Sequence, residues 1–510
     1  MSLGWAVVDP LDPADVARLR EALTAATFTY DAVAAMLGPA AHSALSRNET
    51  TPGLRATADG SPLATMTRLW LLQASVPSSD AARALPGLVD ALCAAGILEC
   101  SVGAVRARMD VRPYADDDRN WWVVSDLTPG LDGAIGRVGA DHVLGISSAS
   151  TSLAQLTIRE PFERALDLGT GCGVQSLHLA DHVQQIVATD VNDRALWIAR
   201  LNAALNQTIL NKTTLDVRKG SLFEPVDGEQ FDLVVTNPPF VISPATEERL
   251  VYRDSGLPGD EVVRRIVTQA PAHLTPGGWC QVLANWVHHQ DQSWQDRIAG
   301  WVGDTGCDAW VVQREVADPA QYVELWLKDA GLHGSPDYPR RYDTWLSWFE
   351  QQGVEGIGFG WFHLRRTGRE RPVLRIEEWP YEVEQPLGPE VAAWGRRTDF
   401  VEARDDATLL RERLVVRPDI GQETVGEPGA EDPERIVIRQ QRGMRRARQV
   451  DTAEAAFVGA CDGELEVGQI LDALGSLLAE DPDVIRGKYL TKVRELTTEG
   501  FLEPVALDQV

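Results

Sequence analysis

Near the start of the chain, apolar residues recur at helical spacing in DPADVARLREALTAA and TYDAVAAMLG, each run opened by a capping or turn residue. The pattern predicts two helices there and a third within DAARALPGLVDALCAAGILEC, where a glycine is available to stop it. VGAVRARMDVRPY and NWWVVSDL then read as two strands around the polar turn ADDDRN. Helices followed by a hairpin predict a winged-helix-like module over residues 1–134. Its helical stretches carry no Lys/Arg-rich face, which favours docking or a structural role over nucleic-acid binding.

From 135 to 376 the pattern changes. Short apolar runs (ALDLGTG, QIVATD, TTLDVRKGS, FDLVVTN, WCQVLANW) alternate with helix-like stretches such as VQSLHLADHV and RALWIARLNAALN. GCDAWVVQREV and GIGFGWFHLRRT supply two last strands. The alternation predicts an α/β domain: a seven-stranded, mostly parallel, Rossmann-like sheet with helices on both faces. The many tryptophans between Trp279 and Trp361 read as packing around the last strands and a helical insertion.

Residues 377–510 predict a smaller α+β module, with a flexible acidic loop near 419–434 between the strand-like runs ERLVVRP and RIVIRQQ. The dense basic patch Arg435, Arg439, Arg442, Arg445, Arg446 and Arg448 follows it. The final stretch is helical and ends in a short strand. It is a candidate second winged-helix-like unit, without a recognisable repeat of the first.

Composition narrows the function classes. A 510-residue chain that is 44% hydrophobic and 24% charged is long enough for two to four packed domains. Its formal charge of −27 repels phosphate backbones and disfavours general nucleic-acid adhesion, while leaving room for a local basic groove. No apolar run is long enough to span a bilayer, and MSLGWAVVDP shows no basic segment leading into an apolar stretch. A cytoplasmic location and no membrane partner are therefore expected. Cys93, Cys100, Cys172, Cys280, Cys307 and Cys461 form no CxxC pair and read as free buried thiols. His288 and His289 read as strand-edge polarity, and no metal site is expected.

Two segments carry chemistry. In ALDLGTGCGVQSLHLA an apolar strand ends at Asp167, and Gly169, Thr170, Gly171 and Gly173 form a tight turn before a helix. Glycines let backbone approach a ligand closely, and ligands bind at strand ends in open α/β sheets. The spacing is GxGxG rather than the GxGxxG of pyrophosphate loops. Asp167 suits a ligand bearing an ammonium instead. Asp190 closes the next strand, where a carboxylate can accept ribose hydroxyls, and Val191 follows it. Ser221 and Leu222, after the third strand, stand where a flat ring would lie, with Phe223 beside them.

The second segment is FDLVVTNPPFVISP. Pro238 and Pro239 end the strand and stiffen a loop that begins at Asn237. The Asn237 side-chain oxygen and the Pro238 carbonyl can each accept one hydrogen of a planar NH2 group. Such a nitrogen is a poor nucleophile because its lone pair is delocalised. Gripping both hydrogens orients it and favours pyramidalisation, and Phe240 can stack on the flat group.

The ordered set DLGTGCG, TDVND, SLF and NPPF resembles the class I methyltransferases of the HemK/PrmC-like, small-domain group, over roughly residues 140–290. The resemblance implies S-adenosyl-L-methionine as cofactor. It implies as acceptor a glutamine amide of a protein, a guanine N2 or an adenine N6. NPPFVISP followed by YRDSGLPGDEVVRRIV is most similar to the glutamine-modifying branch. Tyr is commoner than Phe240 in that branch, the guanine-modifying enzymes often have His where Val241 stands, and many relatives have Asp in place of Ser221. LGISSASTSLAQLT, with Ser150 and Thr151, occupies the place where relatives close over the cofactor. The expected function is an N-methyltransferase acting on a macromolecule, leaning to a protein glutamine. An RNA or DNA base methyltransferase using the arginine patch for phosphates is the alternative, and an inactive binding protein of the same fold a third reading.

Overall fold

The computed structural model describes residues 11–116, 119–133, 139, 141–207, 212–244, 256–427 and 433–505. Eight strands build the central sheet: β1 (Phe162–Leu168), β2 (Val183–Asp190), β3 (Thr214–Lys219), β4 (Phe231–Thr236), β5 (Leu274–His289), β6 (Asp308–Ala317), β7 (Val354–Arg365) and β8 (Leu374–Glu378). Their order is β8-β6-β7-β5-β4-β1-β2-β3. All neighbours are parallel except β7, which runs antiparallel to both β5 and β6. The α/β class expected from the sequence is present, with one correction: β8 adds an eighth strand beside β6. LRIEE is too polar to announce itself, because an edge strand is paired on one side only.

The central strands are apolar on both faces. Ala165, Leu166 and Leu168 of β1 and Leu233, Val234 and Val235 of β4 are buried. The strand order reverses between β1 and β4, which opens a crevice at their C-terminal ends. Helices α1 (Val174–Leu179), α2 (Asp193–Leu205), α3 (Glu261–Gln269), α4 (Trp294–Val302), α5 (Pro319–Asp329) and α6 (Tyr338–Gln351) connect the strands. The tryptophan-rich stretch packs as expected: Trp286, Trp310, Trp326 and Trp345 are buried.

The chain divides into two compact units, residues 1–154 with 160–379, and residues 155–159 with 380–510. In the first, the N-terminal strands Val76–Pro77, Ala104–Ala107 and Leu98–Ser101 form one antiparallel sheet in that order, preceded and interrupted by short helices. This is a winged-helix-like arrangement, but its wing is not the hairpin expected. VGAVRARMDVRPY is split at Arg108. Its first half closes the wing, and Met109–Asp116 pairs with Arg119–Asp126 in a separate hairpin. That hairpin faces the sheet domain: Trp121, Val123 and Val124 share one buried cluster with Leu177, Ile198 and Leu201. A second correction concerns cysteine. Cys93 and Cys100 are disulfide-bonded, because Gly96 in the left-handed region (φ +68°) folds a helix end back onto the next strand. The other four cysteines are free and buried.

In the second unit, Arg413–Val416 lies between Asp462–Glu466 and Leu502–Pro504 in an antiparallel sheet, with helices Thr452–Ala460, Val467–Leu478 and Pro482–Thr498 around it. Helix, strand, helix, helix and strand follow one another here as they do in the N-terminal module. Both second helices end on the same signal, Gly96-Ile97-Leu98-Glu99 and Gly500-Phe501-Leu502-Glu503, with φ +68° and +82° at the glycines. The repeat unseen in the sequence is therefore one of topology, its third strand supplied from upstream in the second copy. The expected acidic loop is also shorter than 419–434. Ile420–Val425 is a strand paired with Arg435–Gln440, helped by the Arg439–Glu423 ion pair at 2.8 Å.

The basic patch is largely answered within the fold, although Arg435 and Arg442 are exposed. Arg448 pairs with Glu495 and Glu499, Arg445 with Glu382, and Arg439 with Glu423, while Arg446 is buried. Glu382 and Glu495 lie 63 and 47 residues from their arginines, so this part of the patch's charge is answered only once the chain folds. Among the described residues, no helix is long and apolar enough to cross a membrane.

Candidate active site

The site starts at the end of β1. Asp167 is buried, and its Oδ2 accepts hydrogen bonds from Thr170 Oγ1 (2.6 Å), Ser176 Oγ (2.6 Å) and the Ser176 N–H (3.0 Å). These bonds bend the glycine loop back over its own strand and fix the start of α1. Burial pushes the Asp167 carboxyl above its ordinary range, although the same hydrogen bonds pull the other way. The neighbouring Cys172 thiol is pushed up to about 12 by burial, which makes it an inert neutral group rather than a nucleophile.

Gly169, Gly171 and Gly173 all have positive φ (+73°, +55° and +83°). Their surroundings differ. A Cβ at Gly169 or Gly171 would meet nothing within 4 Å, so these two border open space. A Cβ at Gly173 would stand 3.2 Å from both Cα and Cβ of Ala199 on α2. Gly173 thus serves helix packing and does not line the cavity. Gly173→Ala is expected to cost about 1–3 kcal/mol of stability, the scale of overpacking, which chemical denaturation measures. Gly171→Ala should weaken ligand binding more than it destabilises the fold. Equal stability losses for the two variants would contradict this division of labour.

Asp190, at the end of β2, lies against the same loop. The Gly171 N–H donates to its Oδ2 (3.0 Å) and the Asn192 N–H to its Oδ1 (2.9 Å). Asn192 in turn caps α2, its Oδ1 accepting from the Arg194 N–H at 2.9 Å. Burial raises the Asp190 carboxyl above its usual value. Val191, beside it, is 62% exposed and apolar. Leu222 holds a left-handed backbone (φ +47°), a strained conformation for a branched side chain that presents it at the cavity wall. Phe223 turns the other way and stacks on His273 with ring centroids 4.5 Å apart.

At the end of β4, Thr236 Oγ1 donates to the Leu168 carbonyl (2.7 Å), which locks the two strand ends together. Asn237, Pro238, Pro239 and Phe240 follow directly. The Asn237 amide has no hydrogen-bond partner among the described residues, although it borders the cavity. Past the loop, the Ile242 N–H donates to the buried Tyr322 hydroxyl (2.9 Å) on α5, and Asn285 Nδ2 donates to the same oxygen (3.2 Å). The loop is thereby held by a hydroxyl 80 residues away, which Asn285 fixes in turn. Phe240 meets Trp326 edge-on, with centroids 6.4 Å apart.

These parts enclose one cavity of about 460 Å³, a size suited to a small-molecule site. Asp167, Gly169, Thr170, Gly171, Asp190, Val191, Ser221, Leu222, Asn237, Pro238, Pro239 and Phe240 all line it, so of the expected site residues only Gly173 stands back. Ser150 lines it as well; Thr151 does not. Sequence reasoning missed His142, Asn192, Leu257 and Arg265, which also border it. Arg265 was detectable as an i,i+4 partner of Glu261, to which it is bound at 2.7 Å. The expected segment YRDSGLPGDEVVRRIV lies partly outside the described residues. No group of three or more His, Cys, Asp or Glu among the described residues is placed to hold a metal ion.

Comparison with known proteins matches residues 145–299 to the methyltransferase small domain family. Residues 25–108 and 392–504 match two domains of unknown function, DUF7059 and DUF7782. The chain is 38% identical over 135 residues to a release factor glutamine methyltransferase of Xylella fastidiosa, covering 24% of this chain and 47% of that one. It is 36% identical over 127 residues to a ribosomal protein uL3 glutamine methyltransferase of Bradyrhizobium diazoefficiens, covering 23% and 39%. It is 32% identical over 122 residues to a ribosomal RNA small subunit methyltransferase C of Alcanivorax borkumensis, covering 24% and 32%. The chain thus spans less than half the length of each of these relatives.

Proposed function

We propose, proceeding from a central domain of the HemK/PrmC-like class I methyltransferase type, that the protein is an S-adenosyl-L-methionine-dependent N-methyltransferase acting on a planar NH2 nitrogen of a macromolecule. The observation that carries this reading is an uncommitted Asn237 amide, in a stiff Asn-Pro-Pro-Phe loop, sharing one cavity with the glycine loop and Asp190. The cavity fits the cofactor: two glycines border open space, and a carboxylate and an exposed apolar side chain stand side by side at its wall.

In this reading Asp190 accepts the ribose hydroxyls, with Val191 and Leu222 against the adenine and Ser221 at its polar edge. Gly169, Thr170 and Gly171 pass beneath the amino-acid end, which Asp167 steadies with the carboxylate oxygen not engaged by Thr170 and Ser176. The bound cofactor supplies an electrophilic methyl group on a sulfonium. Asn237 and the Pro238 carbonyl grip the two hydrogens of the acceptor nitrogen, Phe240 stacks on its flat group, and Pro239 keeps the loop from yielding. The nitrogen is thereby held in one orientation, which supplies most of the rate in a displacement between bound partners. The proton leaves afterwards, so no strong base is required.

A protein glutamine amide is the favoured acceptor. The net charge of −27 opposes a phosphate backbone, and three of the six arginines that were to hold one, Arg439, Arg445 and Arg448, are paired with Glu382, Glu423, Glu495 and Glu499. The segment 135–376 carries the chemistry in this reading, while 1–134 and 377–510 position the macromolecule. Labelled S-adenosylmethionine incubated with full-length protein and a cell lysate is expected to mark a species destroyed by protease and resistant to nuclease. A nuclease-sensitive, protease-resistant label would assign a nucleobase instead. Absence of any transferred label would defeat the activity.

A further inference from the structure

We infer that the N-terminal hairpin holds one wall of the cofactor pocket in place, with Asp126 as the positioning residue; this rests on the cofactor reading above.

The cavity wall formed by His142, Val143 and Gly145 has no regular secondary structure of its own. What holds it is the strand Arg119–Asp126. The Asp126 N–H donates to the Val143 carbonyl (3.0 Å), and Asp126 Oδ2 accepts the Val143 N–H (2.8 Å). The two segments touch so closely that a Cβ on Gly145 would stand 2.5 Å from Ser125 Oγ. Both oxygens of the same carboxylate accept from Arg194 Nε (3.0 and 2.9 Å), and Arg194 Nη2 pairs with Oδ1. Arg194 is the second residue of α2, four positions past Asp190. Asn192, between them, donates to the Asp141 carbonyl (2.9 Å). The carboxylate and guanidinium are only 11% and 14% exposed, so the pair is screened weakly.

The rest of the strand is read by the same helix. Asn202 on α2 accepts from the Val124 N–H (2.7 Å) and donates to the Val124 carbonyl (2.9 Å) and to the Cys172 carbonyl of the glycine loop (2.7 Å). Asn206, one turn on, exchanges the same two bonds with Trp122 (3.1 and 2.8 Å). Side-chain amides thus do for this strand what a neighbouring strand would do. They fix its register so that Asp126 arrives at the pocket wall. Trp122, Val124 and Asp126 lie on one edge of the strand, and of the three only Asp126 is bonded to a residue that lines the cavity, Val143.

The test is calorimetric titration of S-adenosylmethionine into the full-length protein and its variants. Asp126→Ala is expected to weaken binding by roughly tenfold to a hundredfold, the scale of a lost charge-assisted hydrogen bond, with kcat at saturating cofactor little changed. Asp126→Asn, isosteric and still an acceptor for Val143, should fall between wild type and Asp126→Ala; it decides the matter if the alanine variant does not fold. Asn206→Ala loosens the same strand away from the pocket and should lower thermal stability without changing cofactor affinity. Unchanged binding in Asp126→Ala beside tight wild-type binding overturns this inference alone. So does an Asn206→Ala loss as large as that of Asp126→Ala. A wild-type protein that fails to bind refutes the cofactor reading and this inference with it.

Discussion

Replacing Asn237 with alanine is expected to lower turnover of the full-length protein by at least about 10²–10³-fold, the cost of removing a preorganised group aimed at the reacting centre. Affinity for S-adenosylmethionine should stay close to wild type. The separation follows from placement. Asn237 follows Thr236, whose hydroxyl is bound to the Leu168 carbonyl at 2.7 Å, so the loop is held by the end of β1 and does not depend on the asparagine side chain. At its other end the Tyr322 hydroxyl holds the Ile242 N–H at 2.9 Å. With Pro238 and Pro239 stiffening the stretch between, truncation at Cβ removes one acceptor and leaves the backbone path in place. A uniform loss of cofactor and acceptor binding would mean that the loop had collapsed instead. The decisive measurement is single-turnover transfer from preloaded cofactor. Transfer by Asn237→Ala at near the wild-type rate would remove the amide from the reaction and defeat the mechanism.

The parts of the site legible in the sequence are those whose geometry is set by a few consecutive residues. Asp167, the three glycines and the helix after them are one local turn. Asn237 to Phe240 are stiffened by their own prolines. Asp190 is marked by ending an apolar run. For the glycines and prolines the backbone restriction is written in the residue type. The fold was legible for a related reason: strands buried on both faces read as continuous apolar runs, and β8, polar and at the edge, escaped. What escaped elsewhere depends on distant partners. His142 and Val143 belong to no periodic run and owe their place to Asp126. Cys93 and Cys100 needed the turn at Gly96. The arginines from Arg435 to Arg448 form a block in sequence, yet Glu382 and Glu495 reach Arg445 and Arg448 from 63 and 47 residues away. Sequence clustering of charge measures a potential surface, and folding decides whether any of it faces solvent unpaired.

Asp190→Ala is expected to weaken S-adenosylmethionine binding by about 1.5–3 kcal/mol, roughly tenfold to more than a hundredfold, since a partly buried charged acceptor is lost. Two effects add. The ribose loses its partner, and the Gly171 and Asn192 N–H groups lose the carboxylate that ties the glycine loop to the start of α2. Asp190→Asn keeps an acceptor without the charge and should fall between. The pH dependence gives an independent check. Burial holds the folded Asp190 carboxyl above its unfolded value, and Asp167 shifts the same way. The folded state therefore binds more protons than the unfolded chain in the window above the ordinary aspartate range. Through that window these two groups make stability fall as pH rises. Cofactor affinity runs in the opposite sense, because only the ionised Asp190 accepts two hydroxyl hydrogens. Affinity should weaken on acidification starting above the usual carboxylate range, and Asp190→Ala should lose the Asp190 share of this slope and keep only that of Asp167. Wild-type affinity in that variant, or an acid slope undiminished in it, would place the ribose against some other group.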